Sequence, residues 1–469
     1  MKYRRTKIIA TLGPSCSNQK SVQDLVDLGV NCFRINLSHG TENEKKSYFN
    51  LVRSVSVAEK ERPSILADLG GPKIRISGLI QEMYLEAGQK VIVSNEQNGI
   101  NVIPVSDGIL FKNVSSGARI LIDDGRVVLK VINQVSSKTL ECCTVVSGVI
   151  NNRKGVNFPG IDLGVPCLTE QDLLDMELAL SNGADWLALS FIRQAKDYLD
   201  VRSKINKLGF KTPIMAKIEK WEAVENIDEI IDAFDAVMVA RGDLGVEIPV
   251  ERVPIIQKDV IEKANHSGKP VVIATQILES MTKNPFPTRA EVSDIANAII
   301  DGADTLMVTG ETAIGLYPAK VIHVLSKAIE ETERAINFNE YYISRGKNLL
   351  NTSQAISNAA CSVANDLDIK TIVTMTHSGS TARMVSRYRP GACIIAMTPF
   401  PQICRQLEVV WGVIPILVEN YRNSDDIAIS AIKTLKSKKL INEDKKFVIT
   451  GGVPVGISGT TNYLSVLKS

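Results

Sequence analysis

No stretch of this 469-residue chain is apolar for long enough to span a bilayer, and no pair of its eight cysteines shows CxxC or zinc-type spacing. The first absence speaks against a membrane role. The second speaks against a structural zinc or a disulfide framework, so Cys16, Cys32, Cys142, Cys143, Cys167, Cys361, Cys393 and Cys404 read as small buried hydrophobes. Charge of one sign is also missing: 54 Lys and Arg against 52 Asp and Glu leave a formal +2, which gives no whole-molecule reason to expect nucleic acid or a membrane surface as partner. The basic start, Met1 to Lys7, runs into only Ile8-Ile9-Ala10 before a polar turn. No signal peptide is read there, and the expected location is the cytoplasm.

The hydrophobic fraction of 44% and the charged fraction of 23% lie near globular averages, and the length exceeds what one core supports, so two or three domains are expected. Short apolar runs alternate with amphipathic stretches: Lys7 to Leu12, Cys32 to Leu37, Ser64 to Leu69, Trp186 to Phe191, Pro213 to Ile218, Ala236 to Ala240, Pro270 to Thr275 and Thr305 to Thr309. Glycine closes several helical patterns between them, as at Ser21 to Leu28 before Gly29, Thr169 to Leu180 before Gly183, and Glu291 to Ile300 before Gly302. Eight strand-helix units predict a (β/α)8 TIM barrel with its chemistry at the carboxyl ends of the strands. Residues 72–158 lack a convincing helix and carry β-rich pieces at Lys90 to Val93, Arg119 to Leu121 and Val127 to Ile132, which predicts an inserted β-barrel lid over the barrel mouth. Beyond 338 alternation resumes, with strands expected at Thr371 to Met375, Cys393 to Met397, Val413 to Val418 and Phe447 to Thr450. The expected division is therefore 1–71 and 159–338 for the barrel, 72–158 for the lid, and 339–469 for a C-terminal α/β domain with a mostly parallel sheet.

Two segments carry the densest chemistry. Met215-Ala216-Lys217-Ile218-Glu219 and Met238-Val239-Ala240-Arg241-Gly242-Asp243-Leu244-Gly245 are buried-strand patterns that end abruptly in charge. Period 2 places Lys217 and Glu219 on one face, and Asp243 arrives from the next strand. Paired carboxylates suit Mg²⁺, which takes one or two protein carboxylates and leaves its other positions to water and substrate oxygens. A neighbouring lysine can stabilise a phosphoryl group in flight or form a Schiff base. Four further stretches add to the set: Phe33 to Gly40 aligns Arg34, Asn36 and Ser38 on one face; Ala67 to Arg75 brings Asp68, Lys73 and Arg75; Ala274-Thr275-Gln276 brings a hydroxyl; and Val308-Thr309-Gly310-Glu311-Thr312 brings more.

Together these motifs resemble pyruvate kinase, from Thr6-Lys7-Ile8-Ile9-Ala10-Thr11-Leu12-Gly13-Pro14 through to Gly452-Val453-Pro454-Val455-Gly456, in family order and spacing. The resemblance implies transfer of the phosphoryl group of phosphoenolpyruvate to ADP, followed by protonation of the enolate. By resemblance Arg34 binds the phosphate, Lys217 stabilises the transition state, Glu219 and Asp243 hold Mg²⁺ or Mn²⁺, and the amides of Gly242 and Asp243 cradle the substrate carboxylate. Thr275 matches the hydroxyl beside the enolate carbon, Thr309 stands where a serine is common, and Arg75, His39 and Pro14 resemble nucleotide contacts. Gln171 stands where many relatives place a lysine near the nucleotide.

Many members of that family need K⁺, held at positions matching Asn36, Ser38 and Asp68, and those members carry Glu where this chain has Lys73. The Lys73 ammonium is therefore expected to stand in for the ion, with K⁺ not required. Thr376, Ser378, Gly379, Ser380 and Thr381 resemble the family's effector loop, for a phosphorylated ligand, although a hydroxyl-rich turn is also an ordinary helix cap. Resemblance alone implies a homotetramer. Two rival readings are a Mg²⁺-dependent barrel lyase or aldolase acting on phosphoenolpyruvate or pyruvate, and a barrel kept as a non-catalytic scaffold. The lyase would need neither the lid nor Arg34, and the scaffold would not need Lys217, Glu219 and Asp243 together.

Overall fold

The computed structural model describes residues 4–55, 63–96, 99–106, 110–111, 113–338, 351–420, 424–454 and 461–469. Eight parallel strands close on one another in sequence order: β1 (Lys7–Thr11), β2 (Cys32–Asn36), β3 (Ser64–Asp68), β4 (Trp186–Leu189), β5 (Ile214–Ile218), β6 (Ala236–Ala240), β7 (Val271–Ala274) and β8 (Thr305–Val308). The last pairs with the first through Lys7 to Thr305 and Ala10 to Val308, so the sheet has no free edge. Every one of these strands is predicted by its apolar run. Several runs overshoot, however: Phe191, Thr275 and Gln276 have positive φ, and the chain peels out of the ladder there to turn across the mouth.

Period 2 sorts each strand between two cores. Outward residues such as Ile8, Ile35, Ala67 and Ile273 pack against the surrounding helices, whereas Ile9, Cys32, Leu66, Trp186, Met215, Met238, Val272 and Met307 fill the barrel interior. Two residues further along the same inward faces stand Thr11, Arg34, Asp68 and Lys217, and on β4 Ser190 follows Ala188 in the same way. The interior is thus apolar through its lower layers and turns polar at the mouth along β1 to β5, while β6 and β7 continue with Ala240 and Ala274.

Helix boundaries follow from capping. Thr169 caps Glu170–Ser181 reciprocally with Asp172, and Thr288 caps Arg289–Asp301 with Glu291, each a Thr-x-x-acid box. The helix expected over Ser21 to Leu28 spans Gln19–Asp27 behind an Asn18 cap.

Between β3 and β4 the chain builds β structure: a six-stranded sheet ordered Val156–Asn157, Arg119–Ile122, Val127–Ser136, Thr139–Val146, Lys90–Ser94, Val102–Pro104, and a two-stranded pair of Gly148–Ile150 with Met83–Leu85. Its core is separate from that of the barrel, centred on Phe111, Phe158, Ile120, Leu129 and Val91. The C-terminal sheet runs Val413–Leu417, Cys393–Thr398, Thr371–Met375, Lys446–Gly451, Tyr463–Lys468. Its first four strands are parallel, while Tyr463–Lys468, which sequence reading missed, returns antiparallel on Lys446–Gly451. This domain closes the barrel floor. Trp186 Nε1 donates to the Gln406 carbonyl, and the buried Arg389 guanidinium meets Asp304, just before β8, at 2.9 Å. Residues 339–350, at the expected start of this domain, lie outside the described residues, as do Val455 and Gly456 of the last family motif. Among the described residues no helix is long and apolar enough to cross a membrane.

Candidate active site

Arg34, Asp68 and Lys217 come from β2, β3 and β5, and they meet because each is the inward residue next to the mouth. Arg34 Nε donates to Asp68 Oδ2 at 2.7 Å, and Lys217 Nζ lies 3.3 Å from Asp68 Oδ1. Lys217 also reaches Glu219 Oε1 at 2.9 Å and donates to Ser190 Oγ at 2.8 Å. Ser190 passes its own proton to the Leu69 carbonyl at 2.7 Å, which fixes that oxygen as an acceptor for the lysine. Asp68 and Glu219 are each about 1% exposed. Burial would pull the Lys217 ammonium down, but Asp68 and Glu219 together outweigh it and push the group up to about 12. Burial likewise works against the Asp68 carboxylate, and Lys217 and Arg34 overcome it, holding Asp68 below its ordinary value.

Glu219 behaves differently. Burial dominates and, with Asp243 nearby, raises its carboxyl in spite of Lys217 and of the hydrogen bond its Oε2 accepts from the Phe191 amide at 2.8 Å. Glu219, paired with Lys217, and Asp243, paired with Lys73, are oxygen donors of the kind that suits a hard divalent cation. Among the described residues no cluster of three or more His, Cys, Asp or Glu side chains could hold a metal alone. A cation held by Glu219 and Asp243 would complete its shell with water and substrate oxygens, as Mg²⁺ does.

Asp243 sits in the first turn of the helix Arg241–Glu247 that follows β6. Its Oδ1 receives Lys73 Nζ at 2.8 Å. Lys73 bonds to none of Asn36, Ser38 and Asp68, the set expected to surround a monovalent ion: Asn36 contacts His39 and accepts from the Ser38 amide, and Asp68 is taken up by Arg34 and Lys217. The ammonium instead stands beside Asp243. Lys73 leaves β3 through Gly71, whose φ of +68° and close approach to Ser190 and Phe191 leave no room for a Cβ.

Thr275 Oγ1 accepts a hydrogen bond from the Gly242 amide at 2.9 Å, so one of the two amides expected to cradle a carboxylate is already engaged. Thr309 donates through both its amide and its hydroxyl to Glu311, a wholly buried carboxylate that also accepts from the Leu278 amide. Sequence reading singled out neither Glu311 nor Ser190, although both stand inside motifs it quoted or at a predicted strand end. It also gave no role to Arg241, whose guanidinium is spent on the backbone of Thr275 and Gln276.

Beside the mouth, between barrel and lid, opens a cleft of about 840 Å³ lined among others by Ser38, Lys45, Lys46, Lys73, Arg75 and Gln171. Arg75 is tied to the lid through the Arg153 carbonyl at 2.9 Å. His39 is held below its ordinary value by burial and by Arg75, Arg34 and Lys45, and so stays a neutral donor or acceptor near neutral pH. Pro14 lies exposed in the short turn Pro14–Cys16 after β1. Far from this cleft, Gly379 takes φ +78° ahead of the short helix Ser380–Ser386. Thr381 in that loop meets Thr461 hydroxyl to hydroxyl at 2.9 Å, and the Thr376 amide donates to the Met397 carbonyl.

Comparison with known proteins agrees with this geometry over both large parts of the chain. Residues 3–322 match the family profile described as pyruvate kinase, barrel domain, and residues 354–467 the one described as pyruvate kinase, alpha/beta domain. A pyruvate kinase of Thermotoga maritima is 41% identical over 472 residues, covering 99% of each chain. One of Sporosarcina psychrophila is 40% identical over 469 residues, 99% of this chain and 80% of the other. The crystal structure of a pyruvate kinase from Cryptosporidium parvum, 34% identical, superposes with a TM-score of 0.92 over 99% of this chain and 96% of that one.

Proposed function

This chain belongs to the pyruvate kinase family and is a phosphotransferase, and on that premise we propose that it transfers the phosphoryl group of phosphoenolpyruvate to ADP with Mg²⁺ or Mn²⁺ and without K⁺. The supporting observation is the Arg34–Asp68–Lys217–Glu219 cluster at the mouth of the barrel, with a cleft of mixed charge beside it. In-line phosphoryl transfer asks for positioning and for positive charge around the equatorial oxygens, and Arg34 and Lys217 supply both from rigid strands. Glu219 and Asp243 would hold the divalent ion, which when bound neutralises charge developing on the phosphoryl and enolate oxygens. The Gly242 and Asp243 amides orient the substrate carboxylate, Gly242 sharing its proton with Thr275, and Thr275 relays a solvent proton to the enolate carbon.

The cleft has the size of a nucleotide site and is lined by Arg75, which with His39 and Pro14 resembles the family's nucleotide contacts, while Lys45 and Lys46 in the same lining are paired with Asp175 and Glu42. Lys73 supplies at Asp243 the unit positive charge that a monovalent ion would bring, which supports independence from K⁺.

The aldolase reading loses ground on charge. A Schiff base needs a neutral amine, and Lys217, held up to about 12 between two carboxylates, stays an ammonium at any physiological pH. The loop Thr376, Ser378, Gly379, Ser380 and Thr381 is proposed to take a phosphorylated effector, and a cytoplasmic homotetramer is the expected assembly by resemblance.

A coupled assay for ATP and pyruvate from phosphoenolpyruvate and MgADP tests the main reading, and absence of ATP would overturn it. Borohydride with pyruvate should trap no adduct on Lys217. Saturation curves with and without AMP and sugar phosphates test the loop, and light scattering tests the assembly.

A further inference from the structure

Thr275 and Gln276 leave β7 with φ of +66° and +53°. This left-handed region is uncommon for any residue with a Cβ and costly for a β-branched one, so two in succession persist only where surroundings impose them. The imposing group is Arg241. Its Nη2 donates to the Thr275 carbonyl at 2.7 Å and to the Gln276 carbonyl at 3.0 Å, and its Nε reaches the Thr275 carbonyl at 3.3 Å. Nη1 pairs with Asp294 in the helix Arg289–Asp301, so the fork is anchored from behind. The side chain is buried, and its planar donor geometry is one a lysine could not reproduce.

The effect of this clamp falls on one hydroxyl. Thr275 Oγ1 accepts the Gly242 amide at 2.9 Å, which occupies a lone pair and leaves the hydroxyl proton to be given elsewhere. We propose that Arg241, backed by Asp294, is a positioning residue for enolate protonation: it fixes the left-handed Thr275–Gln276 turn so that the Thr275 hydroxyl faces the enolate methylene carbon. In that step a C–H bond forms at the methylene carbon and the Thr275 O–H breaks. Water then returns a proton to the Thr275 oxygen, so one solvent proton is consumed per turnover. The inference rests on the pyruvate kinase reading above.

The test compares two activities of the full-length protein. One is ATP formation from phosphoenolpyruvate and MgADP. The other is exchange of pyruvate methyl protons with deuterated water in the presence of MgATP, followed by NMR, which reports proton transfer at carbon directly. Arg241→Gln should cut exchange by about 10²-fold, the scale on which misplacing a proton donor acts. Phosphoryl transfer should fall much less and the KM for phosphoenolpyruvate should hold, because a released enolate protonates in solution. Asp294→Asn, at a half-exposed carboxylate, should shift the exchange-to-transfer ratio the same way by a smaller factor, and it carries the test if the arginine variant does not fold. A ratio equal to wild type in the folded variants would overturn the proposal. Wild-type protein that makes no ATP would instead refute the pyruvate kinase reading.

Discussion

Replacing Lys73 by glutamate changes the local charge by two units at a point 2.8 Å from the Asp243 carboxylate. In the natural chain the ammonium compensates one of two neighbouring acids, and in the variant three acids face one another with only Lys217 nearby. The Lys73 and Asp243 side chains are 25% and 27% exposed, an environment between water and protein interior. A unit charge at about 4 Å and an effective dielectric of ~20 is worth about 4 kcal/mol. Solvent screening removes part of it and leaves on the order of 2–4 kcal/mol per charge, or roughly two to three powers of ten in rate where the transition state feels it fully.

The assay is the initial rate of ATP formation with tetramethylammonium as the sole monovalent cation, followed by titration with KCl. Wild-type rate should be flat across the titration. Lys73→Glu, two charges away, should start about four to six powers of ten lower where the transition state feels both fully, and recover in part as K⁺ binds, since one ion restores one of the two charges removed. Lys73→Gln, short by one charge, should fall between them. A wild-type enzyme that needs K⁺, or a Lys73→Glu enzyme that runs at full rate without it, refutes the reasoning.

Three further outcomes follow from the same electrostatics. Lys217→Met should lower kcat by about 10³-fold, the scale for losing one preorganised positive group, while the KM for phosphoenolpyruvate moves little because Arg34 remains, and steady-state kinetics decide this. Asp68→Asn leaves Arg34 and Lys217 facing each other and should cost about 3–5 kcal/mol in urea unfolding of the barrel. Because the Asp68 carboxyl lies below its ordinary value, its contribution is complete above about pH 4 and drains away on acidification through the folded value, so a gap that widens in acid would count against the account. Glu222 has both carboxylate oxygens buried and, among the described residues, without a partner of good hydrogen-bond geometry, and burial raises its carboxyl. A raised group stabilises below its ordinary value of about 4.3 and loses that contribution as pH rises, so Glu222→Gln should melt higher than wild type at neutral pH and equally near pH 4.

The barrel was legible because its signal is local. Eight apolar runs, spaced by helices with Thr-x-x-acid starts and glycine ends, are properties of short windows, and each found its strand. The strand ends were less legible, since Thr275 and Phe191 look like strand residues yet take positive φ where the Thr275 carbonyl accepts from Arg241 and the Phe191 amide donates to Glu219, partners far off in sequence. The return strand Tyr463–Lys468 was missed because its pairing partner, Lys446–Gly451, decides its state more than its own alternation does. Lys73 shows the limit best. Its identity suggested a surrogate for a monovalent ion, but its partner, Asp243, stands 170 residues away, and no window of sequence contains both.

Motif reading grouped Arg34 and Lys217 as two cations for one phosphate, and left open how two like charges could share a buried space before substrate arrives. Asp68 answers that question. It accepts Arg34 at one oxygen and lies 3.3 Å from Lys217 at the other, and being about 1% exposed on a central strand it cannot move away. The two cations are thereby held side by side with their desolvation already met, so on the proposed function an arriving phosphoryl group would find donors fixed in place and need not assemble them. The same arrangement explains why Lys217 is an ammonium and not a nucleophile: the acid that makes the pair tolerable also holds the proton on the lysine. On the proposed reading, Asp68 makes the cation pair tolerable and, with Glu219, keeps the lysine out of imine chemistry.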